Sequence, residues 1–207
     1  MKKSFFVILA FVMFFASCKK EEFIPEQILV PPQYLSWTTG DWWAYEWATY
    51  NYNIGDTTVH SADTTFALAD TVINGETFRT LSQGIYPWNT GNMYMRDSTG
   101  YVIDNNGNII FSYVNFTDTF QNHLVPGGGW FTQMVVDSLP TVVPAGSFNT
   151  INYRATNRYF TVACGDSVYY SNRQFAENIG MVRMSFHYSA QGPCADNVKC
   201  LVDYYIQ

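Results

Sequence analysis

The sequence predicts an all-β fold: a single antiparallel, strongly curved sheet, an open barrel or half-barrel of many short strands, set behind an N-terminal tether. Three observations predict it. Aromatic residues make up 18% of the chain and charged residues only 14%, against about a quarter charged in an average soluble protein. Tyr, Phe, Trp, Thr and Val, the residues in excess, favour pleated and half-buried surfaces. Apolar residues alternate in short runs broken by turn signals, as antiparallel strands require. No stretch past residue 33 sustains a helical period, although Phe175 to Asn178 would suffice for one turn.

The clearest strand opens at Gly40-Asp41-Trp42-Trp43-Ala44-Tyr45-Glu46-Trp47. With a period of two, Trp43, Tyr45 and Trp47 share the core face and Glu46 points outward. Asn74-Gly75, between Asp70–Ile73 and Thr77–Leu81, predicts a tight hairpin. A second hairpin joins Tyr101–Ile103 to Ile109–Phe111 across Asp104-Asn105-Asn106-Gly107-Asn108. Those residues suggest a calcium loop only superficially, because the bidentate acid at the far end is missing, so a plain turn is expected. Further strands are expected from Trp130 to Val136, Thr150 to Ala155, Arg158 to Cys164, Ser167 to Ser171, Met181 to Tyr188 and Lys199 to Ile206.

Lys2 and Lys3 precede an apolar run from Phe5 to Ala16 that ends in Phe15-Ala16-Ser17-Cys18. A basic segment, an apolar segment and a small-residue cleavage site make a signal peptide, and a run of about a dozen residues is too short to cross a bilayer as a helix. The ending resembles the lipobox of bacterial lipoproteins, with Phe15 where Leu is more usual. It implies an acyl chain such as palmitate on Cys18. The organisation expected is a signal peptide over 1–17, a lipidated tether over 18–33 and one antiparallel β domain over 34–207. Lys19-Lys20-Glu21-Glu22 resembles the surface-export signal of lipoproteins in the Bacteroidota, the alternative being an ordinary solvated charge cluster. The resemblance implies a lipid-anchored outer-membrane protein exposed on the cell surface.

Processing would leave nine basic against 17 acidic side chains, a formal charge of −8. An acidic surface argues against nucleic acid as a partner, which needs a basic footprint. The chain contains no G-x-S-x-G, H-E-x-x-H, phosphate-cradling glycine loop or dinucleotide fingerprint. His60, His123 and His187 lack ligand spacing, and Cys164, Cys194 and Cys200 form no paired C-x-x-C. Neither a metal nor a cofactor is therefore expected, and the chain reads as a non-enzyme. Most acids read as turn residues. Several Asp-Ser/Thr pairs, among them Asp56-Thr57-Thr58 and Asp63-Thr64-Thr65, resemble O-glycosylation acceptors of exported Bacteroidota proteins.

Gly40-x-x-Trp43-x-Tyr45, the hairpin Thr71–Phe78, Arg96-Asp97-x-x-Gly100-Tyr101-Val102, Val143–Phe148 and Asn178-Ile179-Gly180-Met181-Val182-Arg183 occur in that order. Together they resemble an uncharacterised family of exported lipoproteins of the Bacteroidota. The resemblance implies an antiparallel β domain and carries over no catalytic residues. Gly40-Asp41-Trp42 also fits the G-x-W opening of lipocalins, but that register would turn Trp42 inward against the stronger aromatic face.

The aromatic excess and the anchor suggest a binding or accessory module for a glycan or peptide, with Trp42, Trp88 and Trp130 as exposed stacking platforms. The alternative is a lipocalin-like carrier of a small apolar ligand in a barrel or half-barrel. One disulfide is expected from the strand order. If Arg158–Cys164 and Ser167–Ser171 form a hairpin and the latter pairs with Met181–Tyr188, Cys164 lies near the loop that carries Cys194 and leads into Cys200. Cys164–Cys194 is the favoured bridge, with Cys200 as the alternative partner.

Overall fold

The computed structural model describes residues 33–51, 55–82, 91–126, 128–159, 168–188 and 195–207. The signal peptide, Cys18, the tether up to residue 32, Trp88, Cys164 and Cys194 lie outside the described residues. In chain order the strands are β1 (Trp42–Asn51), β2 (Asp56–Ile73), β3 (Glu76–Leu81), β4 (Met93–Ser98), β5 (Tyr101–Asp104) and β6 (Ile109–Ser112). They continue with β7 (Thr119–Asn122), β8 (Gly128–Val143), β9 (Gly146–Tyr159), β10 (Val168–Ala176), β11 (Gly180–Tyr188) and β12 (Ala195–Tyr205).

All twelve belong to one antiparallel sheet in the order β6-β5-β4-β3-β2-β1-β12-β11-β10-β9-β8-β7. Consecutive strands pair everywhere except between β6 and β7, and the first strand pairs with the last, so the sheet curls into a barrel with one unsealed seam between β6 and β7. This is the all-β, strongly curved sheet that alternation predicts. The strands are less uniform than the short runs of the sequence suggest, since β2 has 18 residues, β8 16 and β9 14. β2 and β8 bend at register shifts, with one extra residue between Leu68 and Thr71 and two between Val135 and Leu139, where extra residues increase local twist. The Asp-Thr runs of residues 56–65, read from sequence as turn-rich, form the first half of β2 instead. Thr favours extended backbone, and pairing with β1 outweighs the turn preference of Asp.

The expected face assignment of β1 holds. Trp43 and Tyr45 are buried while Glu46 is exposed. Asn74-Gly75 makes the expected tight turn, with both residues at positive φ. Asp104 is the plain turn residue expected: its carboxylate accepts from the Asn106 and Asn108 backbone N–H groups and from Asn108 Nδ2.

The two ends of the barrel differ. At one end the turns are tight, and residues 33–41 lie across the opening as a plug. Tyr34 packs edge-on to Phe111, and Trp37 packs edge-on to Trp43. Asn178 N–H donates to the Gln33 carbonyl, and the backbone N–H of the terminal Gln207 donates to Asp41. Between these elements Phe111 and Phe175 stack at 4.0 Å across the barrel interior. Trp43 Nε1 and Tyr45 Oη donate to the carbonyls of Ile179 and Met181, both at 2.8 Å, so these large side chains keep their polar atoms satisfied inside. The odd-numbered strands run toward the other, open end.

Candidate functional site

The open end holds a cleft of about 560 Å³, a volume in the usual range for small-ligand sites. Its walls come from both sides of the seam. Asn108, Ile109 and Ile110 contribute from β6 and its preceding turn, and Gln121 and His123 from β7 and its end. Met93 of β4, Asp104 of β5, Trp130 and Thr132 of β8 and residues of β9, β10 and β11 form the rest.

Of the two expected platform residues that are described, Trp42 and Trp130, the structure brings Trp130 into this cleft. His123 lies against it with ring centroids 4.3 Å apart, and the backbone N–H of His123 donates to the Trp130 carbonyl at 2.8 Å. Gly129 makes the approach possible. At φ +137°, a Cβ here would sit 2.2 Å from the His123 carbonyl oxygen, so the connection closes only with glycine at that point. His123, which has no ligand spacing in sequence, thus acquires a place in the cleft from the turn chemistry of its neighbours. Deeper in, the Arg173 guanidinium lies 4.8 Å over the Tyr153 ring, a cation–π arrangement. Asp104 is the one carboxylate among the described lining residues, and its oxygens are engaged in their own turn.

Trp42 lies elsewhere. It is half-buried on the outer face of β1, where its cross-strand partners are Phe66 and Tyr205. Both partners are about half exposed, so the three form an aromatic row on the outside of the barrel. Trp42 and Trp130 therefore belong to different surfaces.

Sequence reasoning missed a polar group in the barrel wall. Lys199 is 1% exposed, with Nζ 2.9 Å from Asp63 Oδ1. Asp63 Oδ2 accepts from Trp47 Nε1 at 2.7 Å. The ammonium lies 4.5 Å from the Tyr45 ring centre and 5.1 Å from that of Trp47. Burial lowers the Lys199 pKa, opposed by the hydrogen bond and charge of Asp63. Trp47 in turn meets Phe186, a cleft residue, edge-on. The signal in the sequence is that Lys199 is the single lysine past residue 20 and occupies an alternating strand.

The plugged half of the barrel is full. The space among Trp37, Trp43, Phe111, Phe175 and neighbours is about 20 Å³, about one probe sphere and short of what a drug-sized molecule needs. The open-end cleft mixes polar residues such as Asn108, Gln121 and Arg173 with apolar ones such as Ile110, Trp130 and Met184, so it differs from the dry aromatic cavity expected of an apolar carrier. Cys200 carries a free thiol. The expected strand order at the open end is present, with Val168 opposite Arg158 and Tyr188 opposite Ala195.

No protein-family model matches the chain, and no curated protein matches it. Solved structures with a similar fold include a protein from Bacteroides fragilis, assigned as exported and described as having a YmcC-like fold. It is 14% identical, with a TM-score of 0.50 over 84% of this chain and 99% of that one. A second, from Parabacteroides distasonis and assigned as a lipoprotein, is 11% identical with a TM-score of 0.46 over the same shares. At such identity the Bacteroides likeness shows the fold, an antiparallel sheet curled into a barrel with one open seam.

Proposed function

We propose that the chain is an exported lipoprotein, anchored in the outer membrane through Cys18 and displayed at the cell surface. It captures a glycan or peptide segment in the cleft at the open end of its barrel, and performs no chemistry on it. The observation that carries this reading is the Trp130–His123 pair set in a cleft of about 560 Å³. Aromatic faces bind sugar rings and apolar side chains alike, while Asn108, Gln121 and Asn157 offer amide donors and acceptors for orientation. Export is supported by the basic and apolar segments before Cys18 and by the likeness to a protein assigned as exported.

Tryptophan fluorescence of the lipid-free chain, titrated with a panel of glycans and peptides, tests the binding role. A saturable response that Trp130→Ala removes is expected. No response from any panel member, or a response unchanged in Trp130→Ala, would overturn it. Labelling of cells with radioactive palmitate should mark the chain and leave Cys18→Ala unmarked, and protease treatment of intact cells should degrade it.

A further inference from the structure

Strands β8, β9 and β10 line the cleft with their inner faces and carry a basic, aromatic patch on their outer faces. Alternation turns Thr132, Met134 and Tyr153 inward, where they are buried, and sends Phe131, Gln133 and Arg154 outward. The register places Phe131 and Tyr170 on either side of Thr156, and Gln133 and Asn172 on either side of Arg154. Arg158 lies on the same face of β9, two positions past Thr156.

Two arginines are held here by groups that leave their charge unmatched. Arg154 Nε donates to Asn172 Oδ1 at 3.0 Å, and its guanidinium lies 4.9 Å over the Tyr170 ring. Asn152 Nδ2 donates to the same oxygen at 3.0 Å, which fixes the amide that steadies Arg154. The Arg158 guanidinium lies 5.7 Å over the Phe131 ring. Thr156, between the two aromatics, is 5% exposed, so the side chains around it close over it. Tyr170 is 51% exposed, and Arg158 is exposed as well. No acidic residue stands on this face in the paired rows from Gly129–Arg158–Val168 to Val135–Asn152–Gln174. Among the described residues no carboxylate pairs with Arg154 or Arg158. The chain has 17 acidic against 11 basic residues, so the patch concentrates positive charge on a negative molecule.

We propose that the outer wall of β8, β9 and β10 is a second binding surface, which takes an acidic glycan. Its carboxylate or sulfate groups pair with Arg154 and Arg158, and a sugar ring rests on Tyr170. A guanidinium fixed by stacking and by one Nε hydrogen bond keeps its Nη donors for an anion. The half-exposed aromatic face suits a sugar ring, and the amides of Gln133 and Asn152 suit hydroxyl groups. Two arginines supply little of the footprint that nucleic acid needs. Four residues along one strand separate their Cα atoms by about 13 Å, so they engage two charged groups of one polymer. The surface is independent of the cleft, which lies on the other side of the same strands.

The test is retention of the lipid-free mature chain on immobilised polygalacturonate, dextran sulfate and neutral dextran, with phosphatidylglycerol vesicles in parallel. Retention on one or both polyanions, falling as salt rises, and none on neutral dextran are expected. The two polyanions separate a carboxylate from a sulfate preference. Arg154→Gln combined with Arg158→Gln should weaken retention about tenfold or more. Arg158→Gln alone, at an exposed position that does not support the fold, should weaken it several-fold. Trp130→Ala should leave it unchanged, which separates this surface from the cleft. No retention on either polyanion, or full retention in the double variant, would overturn the proposal. Retention lost in Trp130→Ala and kept in the arginine variants would move the acidic ligand to the cleft and overturn the second surface. Binding to vesicles and to neither polyanion would replace the glycan with an anionic lipid surface.

Discussion

The Lys199 ammonium is held 2.9 Å from Asp63 Oδ1 in the barrel wall, and Trp47 Nε1 binds the other carboxylate oxygen at 2.7 Å. The three side chains come from β12, β2 and β1, which pair side by side, so one carboxylate ties together the strands that join the two halves of the sheet. Removal of one member of a buried pair leaves an uncompensated charge, which is worse than removal of both. Lys199→Met should therefore lower stability to urea by about 3 kcal/mol, and Asp63→Asn added to it should restore most of that loss. The amide oxygen in the double variant would still accept from Trp47. If the single variant loses nothing, or the double is no better than the single, the pair contributes no such coupling.

Tyr45 and Tyr113 predict the alkaline behaviour. Burial raises the pKa of both. At Tyr45 the charge of Asp63 adds to the effect, and at Tyr113 the hydrogen bond to Asp97 does, with Tyr113 pushed up to about 12. A group whose folded pKa is raised contributes stability that is intact below its unfolded pKa, about 10 for tyrosine. That stability is lost as pH rises through the folded value. Lys199 acts with the opposite sign, because its folded pKa is lowered. Its neutral folded form makes stability rise with pH up to its unfolded value, about 10.5. Phenolate absorbance separates the groups. A step near pH 12 should vanish in Tyr113→Phe, and Tyr45 should ionise only when the chain unfolds. A native chain whose tyrosines all titrate near pH 10, about the ordinary value, would contradict this.

Much of the barrel was legible because strand alternation is a local property. The burial of Trp43 and Tyr45, the outward Glu46 and the Asn74-Gly75 turn follow from period and turn chemistry alone. The site was less legible, because what unites it is pairing between distant strands. Nothing local tells that β1 pairs with β12, and hence that Asp63 and Lys199, 136 positions apart, share a wall. The same holds for His123, whose neighbour Trp130 lies across a turn that only Gly129 can close. Trp42 and Trp130 look alike as platforms in sequence, but the curvature of the sheet places one outside and the other in the cleft.

Gly180 tests the plug. Its φ is +95°, and a Cβ there would lie 3.0 Å from Cζ2 of Trp37. Gly180→Ala should cost about 2 kcal/mol, made up of backbone strain and the push against Trp37. In a Trp37→Ala background the steric part disappears, so the same change should cost only about 1 kcal/mol. Equal costs in the two backgrounds, measured by chemical denaturation, would mean that Trp37 does not rest on Gly180.

Cys200 is half-buried and unpaired, and burial raises the pKa of its thiol, so little thiolate is present near neutral pH. Cys18 is the expected lipidation site, and the other two cysteines are Cys164 and Cys194, whose flanking strands end at the same end of the sheet. The β9–β10 connection leaves after Arg158 and returns at Val168, and the β11–β12 connection spans Tyr188 to Ala195. A bridge between them would leave Cys200 as the sole thiol. Non-reducing peptide mapping should find a Cys164–Cys194 peptide. A thiol reagent should modify one cysteine, slowly in the native chain and much faster in denaturant. A Cys200 peptide in disulfide linkage would contradict its free state, and three reactive thiols would contradict the bridge.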